Sequence, residues 1–571
     1  MAHANECESR RDSRRAVAAR NGACRGGAKL AIAMTAMIGA LAASLPASAA
    51  EFDLSKATVE DIQAAFDSGK LSAERLVQMY QARIAAYDRT GPNIGAVIAV
   101  NEHALEQARA LDKERKEKGP RGPLHGIPVV LKDNIDTVDM PTTGGSFVLD
   151  GARPAADAPI VRRLREAGAI IFAKVNLDDF AAGGSGFSSV AGQTRNPYNP
   201  EYTPLGSSGG SGAAVAAWFA PISLGTDTGG SLRSPSSVNG VYGLKPTLGL
   251  LARTGVIPTC YSFDAVGPLA RNVTDLAAVL GPMTGVDDED RETSKSISVA
   301  HRDYSVFLKR KTLEGIRIGV MREGTGADPE VDRLFIEALA RLKGLGAEIV
   351  DPVAYPPQVI NGAIRRAVVK VVCDTEKEIY FDKYLAQLPG NYPKTLQELA
   401  TLGFALKEPQ GKYGPHPIVY DGLIKRLTTG QGMDSLAYRS AKEHGIDMIR
   451  MGVMGIFEEK KLDVLVYPTR PRRPHRIIPD EPITGRSAPV PPASSPSMGV
   501  GLTNIGNITG FPDLVAPAGL TSEGLPVSIS FFGPAFSEPL LLSIAYAYEQ
   551  SMPPLPLPPY TPKLRGEVFK Y

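Results

Sequence analysis

The chain has 571 residues, 43% of them hydrophobic and 22% charged, and a net charge of +2. That balance is ordinary for a globular protein and gives no basic surface to argue for nucleic acid. Its seven histidines are scattered and no Cys-x-x-Cys stands among its four cysteines, so no metal-ligand spacing is present and no cofactor is expected.

Seven Arg and Lys residues between Arg10 and Lys29 precede an uncharged run, LAIAMTAMIGALAASL, from Leu30 to Leu45, and Ala47-Ser48-Ala49 follows. A charged start, an apolar stretch and an A-x-A site are the parts of a secretory signal. The apolar stretch is also shorter than the ~20 residues of a spanning helix. Residues 1–49 are therefore expected to be a cleaved signal and 50–571 the mature, periplasmic or secreted protein, with no stable membrane insertion. Cleavage leaves a net charge of −2 and two cysteines, Cys260 and Cys373, expected as free buried thiols.

Thr58-Val-Glu-Asp61 has capping-box spacing for a first helix. After Ser72, Leu76, Met79, Tyr80, Ile84 and Tyr87 fall on one helical face. A charged helix from Glu102 to about Lys118 follows, then a Gly/Pro break before VVLKDNID. Residues 157–174 read as helix, Gly168 cap and apolar strand. Ser211–Phe219 running into PISLGTD, and Asp332–Leu345 running into AEIVDPV, repeat that unit. LEGIRIGVM and LDVLVYP read as further buried strands, and GFPDLVAP with LPVSISFFG as a closing pair before a last helix. Residues 356–458 are mostly helical and 469–497 form a proline-rich loop. Alternating helices and apolar strands predict an α/β protein with a mixed sheet.

Three stretches carry chemistry. Lys132 ends IPVVLKDN, apolar on both pleat faces and so a buried strand. A lysine there is either paired, with Asp133 or Asp136, or left neutral as a base. Gly206-Ser-Ser-Gly-Gly-Ser211 has the composition of a linker, yet it passes directly into the helix formers GAAVAAWFA. A glycine-rich turn entering a helix gathers N–H groups and hydroxyls at its positive end. In LGTDTGGSLRSP, the amides of Thr228, Gly229 and Gly230 can form a nest for an oxyanion beside Ser231.

Together these stretches resemble the amidase signature family. The pattern G-G-S-S-G-G-S, then G-T-D-x-G-G-S-x-R-x-P, stands here with only Leu205 replacing the first glycine. The likeness extends through GAIIFAKVNLDDF, TRNPYNP, GLKPTLG and LPVSISFFG, over essentially the whole mature chain. It implies one large α/β domain with a central mixed sheet flanked by helices, carrying the site on loops at the sheet's edge. It implies Ser231 as nucleophile, Ser207 as the bridging serine after a cis peptide, and Lys132 as base. Thr228, Gly229 and Gly230 match the oxyanion-hole amides; Asp227 and Arg233 support the loop, paired with each other. The expected activity is hydrolysis of a linear small-molecule amide without cofactor or metal, and a homodimer fits the family. Two alternatives accompany it. One is the A subunit of a glutamyl-tRNA amidotransferase. The other is an α/β-hydrolase-type esterase using Ser208 of Gly206-x-Ser208-x-Gly210, with His416, His444 or His475. The acyl pocket falls to 356–458 and 469–497, where Tyr380, Phe381, Tyr384 and Tyr413 more readily pack walls than line it.

Overall fold

The computed structural model describes residues 51–405, 417–478 and 502–570. The signal segment, Tyr413, His416 and most of the 469–497 loop lie outside the described residues.

Eleven strands form one sheet, in the spatial order Glu348–Val353, Arg317–Met321, Val464–Pro468, Pro526–Phe532, Asp513–Leu520, Tyr242–Lys245, Ala265–Ala270, Ile222–Asp227, Pro128–Lys132, Ile170–Val175 and Val97–Val100. The sheet is mixed. Pro128–Lys132 runs parallel to both of its neighbours, whereas Ala265–Ala270 is antiparallel to both of its own. Helices flank it. The neighbouring strands Pro128–Lys132, Ile170–Val175 and Ile222–Asp227 are buried at every residue. Parallel strands covered on both faces read as continuous apolar runs, which is why these segments lack alternation.

Local signals hold. Thr58 caps Val59–Asp67 with its reciprocal Asp61 bond, and Ser72 caps Ala73–Tyr87. Gly168, at φ +87°, follows the helix Pro159–Glu166 in the left-handed region that glycine adopts without strain. The helix after the glycine-serine run spans Gly209–Ala216, so it starts earlier and ends sooner than the expected Ser211–Phe219. It begins within the glycines because backbone on every side already holds them in place.

Candidate active site

Pro128–Lys132 and Ile222–Asp227 lie side by side, with Leu131 opposite Leu224. Because they run parallel, their carboxyl ends open together, where ligands of open α/β sheets bind. Lys132 ends one strand and Thr226-Asp227 the other. These strands lie third and fourth from one end of the sheet; the base stands at the end of one of them, while Ser207 and Ser231 sit on loops.

The glycine-serine run is not a linker. It is fixed by close backbone approach: a Cβ at Gly206 would sit 2.0 Å from Asp178 Oδ2, and one at Gly210 only 2.3 Å from Asn176 N. The Gly206–Ser207 peptide is cis. Ser207 is fully buried, with its Oγ 2.7 Å from Lys132 Nζ.

Lys132 is also fully buried, and its Nζ lies 2.7 Å from Thr226 Oγ1. Burial pulls its pKa down to about 7, although Asp178, Asp227 and Asp264 each push the other way. The two carboxylates next along the chain are engaged elsewhere. Asp133 pairs with Lys174 at 3.0 Å and Asp136 accepts from Tyr384 at 2.7 Å. Lys132 therefore has no salt-bridge partner among the described residues, and its neighbours are hydroxyls. Thr226 Oγ1 also accepts from Asn134 Nδ2 at 3.1 Å, so a second hydroxyl besides that of Ser207 is held against the amine. The sequence pattern gives neither Thr226 nor Asn134 a role, although both lie inside the motifs.

Ser231 is only partly buried, and its carbonyl accepts from Ser208 N at 2.9 Å, joining the two serine loops. Its Oγ makes no hydrogen bond among the described residues, so the Lys132–Ser207 link is closed and the Ser207–Ser231 link is not.

Asp227 organises the nucleophile loop from within. It accepts from the backbone N–H of Gly230 at 2.7 Å, Leu232 at 3.1 Å and Arg233 at 3.2 Å. This corrects the expected oxyanion hole, because the Gly230 amide is already spent on Asp227. The amides of Thr228, Gly229 and Ser231 have no partner among the described residues. A Cβ at Gly229 would meet nothing within 4 Å, so the chain is open beside that residue.

Arg233 grips Asp227 with Nε at 3.0 Å and Nη2 at 2.9 Å, while its Nη1 reaches Asp513 at 2.6 Å. Against the upward push of burial, Arg233 and Asn507 hold the Asp227 carboxyl well below the usual carboxylate range. Asn507, which no motif includes, donates to the Asp227 and Phe263 carbonyls at 2.9 and 3.1 Å. No sequence signal marks it; it arrives from 280 residues away.

Ser208, the rival nucleophile, is fully buried, with its Oγ donating to Thr226 O at 3.0 Å and accepting from Thr226 N at 3.2 Å. Its hydroxyl is consumed by the neighbouring strand, and no histidine bonds to it among the described residues.

A cavity of about 550 Å³ opens beside Thr228 and Gly229. Its far wall is the helix Gly362–Gln387, and Cys260 and Cys373 form a disulfide within the lining. This corrects the expectation of free thiols. Their Cα atoms come within 4.8 Å only because the helix packs on the 258–264 loop, a contact across 113 residues that sequence does not disclose. Of the four aromatics considered for the pocket, Phe381 is packed edge-on against Phe180, Tyr380 stacks on Tyr261, and Tyr384 is held by Asp136. None of those three lines this cavity.

Residues 75–542 match the family described as Amidase. The glutamyl-tRNA(Gln) amidotransferase A chain of Halorhodospira halophila is 35% identical, over 86% of this chain and 96% of that one. A probable amidase of Arabidopsis thaliana is 33% identical, over 88% and 91%. Native peptide amidase from Stenotrophomonas maltophilia superposes with a TM-score of 0.74 at 36% identity, covering 87% of this chain and 98% of that one. The chain belongs to the amidase signature family and is a hydrolase of amide C–N bonds.

Proposed function

We propose that this protein is an exported amidase that converts a linear carboxylic amide to the acid and ammonia or an amine through an acyl-enzyme on Ser231. The observation that carries the reading is a buried lysine, without a carboxylate partner among the described residues, held 2.7 Å from Ser207 Oγ. Neutral Lys132 takes the Ser207 hydroxyl proton as Ser207 takes that of Ser231. Ser231 Oγ bonds to the carbonyl carbon, and the carbonyl π pair moves onto oxygen, stabilised by the unpartnered loop amides. Collapse breaks the C–N bond, and the proton held on Lys132 passes back through Ser207 to the departing amine. Water then attacks the ester carbon and loses its proton through the same relay; collapse breaks the bond to Ser231 Oγ, which takes that proton back, and releases the acid. Turnover of a chromogenic amide by wild type and Ser231→Ala tests this; equal rates defeat it.

The identity with glutamyl-tRNA(Gln) amidotransferase chains favours a second reading, in which the chain serves a partner complex. Turnover by the purified chain alone, as monomer or homodimer, separates the two. The Cys260–Cys373 disulfide supports export, because such bonds persist in oxidising compartments. Fractionation of producing cells, with the mass of the mature amino terminus, tests that part: a cytoplasmic chain beginning at Met1 refutes it.

A further inference from the structure

The cavity beside Gly229 is unevenly charged. Its floor is apolar, with Phe263 and Val369 among the lining residues, but its wall carries Arg366, Lys370 and Arg426 against one carboxylate, Asp374. Lys370 pairs with that carboxylate, Arg426 approaches it at 3.6 Å, and Thr429 Oγ1 donates to it at 3.0 Å. Asp374 is thus outnumbered by the cations around it. The cations are in surplus. Arg366 is exposed and makes no ion pair among the described residues, whereas Arg426 Nη1 is the buried donor without a hydrogen-bond partner. Buried donors of this kind are normally satisfied, and a guanidinium presents the planar fork that suits a carboxylate.

The cavity also has a side. None of Lys132, Ser207 and Ser231 lines it, whereas Thr228 and Gly229, whose amides are unpartnered among the described residues, do. The departing amine must face the Lys132–Ser207 relay to receive its proton, so the group extending into this cavity is the acyl arm. We infer that the acyl arm of the substrate ends in a carboxylate, recognised by Arg366 and Arg426: the preferred substrate is the monoamide of a dicarboxylic acid or an amide of similar reach. This rests on the amidase reading above and narrows it.

The test uses the purified full-length enzyme and the mono-4-nitroanilides of succinic, glutaric and adipic acid, each with its free carboxylate and each beside the methyl ester of that carboxylate. The best acid in the series is expected to exceed its ester in kcat/KM by at least about tenfold, mostly through KM. Added salt should shrink that ratio, since the site is open to solvent. Arg366→Gln and Arg426→Gln should each bring the ratio towards one, and Arg366→Lys should restore part of the preference. An ester turned over as well as its acid, or a ratio unmoved in both glutamine variants, overturns the inference and leaves the amidase reading intact. Failure to turn over any acid, ester or simple neutral amide, with no labelling of Ser231 by a fluorophosphonate, instead refutes the amidase reading on which it depends.

Discussion

The ionisation of Lys132 gives the sharpest test of the relay. An ordinary lysine, titrating near 10.4, is neutral in roughly one molecule in 2,500 at pH 7. With burial bringing Lys132 to about 7, half the molecules carry the base at that pH. The difference corresponds to about 5 kcal/mol between the two protonation states. The expected kcat/KM on a neutral anilide stands at about a tenth of its plateau at pH 6, half at pH 7 and nine-tenths at pH 8. The sign follows for stability too. The folded value lies below the unfolded one, so the unfolded chain binds the extra proton, and this group's contribution to stability falls as pH drops from about 10 to about 7. Lys245 is a second buried lysine brought down to about 7, which makes it the necessary control. Lys245→Met should keep the rising limb, whereas Lys132→Met should lower kcat/KM by about 100-fold or more and abolish it. A wild-type limb centred near pH 9 or 10, or one that survives loss of Lys132, refutes the reasoning.

Thr226→Val removes the hydroxyl that orients the amine and should lower kcat at the plateau with KM nearly unchanged; an equal effect on KM would assign Thr226 to substrate binding. Fluorophosphonate labelling followed by peptide mass analysis should mark Ser231, persist in Ser208→Ala and vanish in Ser231→Ala; labelled Ser208 in wild type would revive the rival site. Arg233→Met leaves Asp227 and Asp513 buried without their shared cation and should cost about 3–5 kcal/mol in urea unfolding. Reducing the disulfide, which closes a 113-residue separation, should lower stability by up to about 5 kcal/mol on the chain-entropy account, read as a fall in the urea midpoint with dithiothreitol. An unchanged midpoint would show that the cross-link does not constrain the unfolded chain.

What the sequence discloses here depends on the range of the interaction. Thr58, Ser72 and Gly168 act within a turn or two, and each sits where its spacing predicts a cap. The strands Pro128–Lys132 and Ile222–Asp227 are legible because burial on both faces leaves an unbroken apolar run. Lys132 stands out for the opposite reason, as a charge within such a run. Contacts between distant segments are closed to this kind of reading. The hold of Asn507 on Asp227 and the Cys260–Cys373 bond follow from packing and leave no local pattern. Gly230 fails as an oxyanion donor because counting amides along a loop cannot show that the preceding aspartate has already claimed one of them.

The adjacency of the Pro128–Lys132 and Ile222–Asp227 strands has a consequence for how such an enzyme tolerates change. Lys132 and Thr226 are 94 positions apart in the chain, and the ladder between their strands brings them within bonding distance. Slippage of either strand by a single residue would turn its side chain to the opposite face and break that contact. Because the intervening chain also delivers Ser207, changes of length there are tolerable only in stretches that touch neither the ladder nor the glycine-serine run.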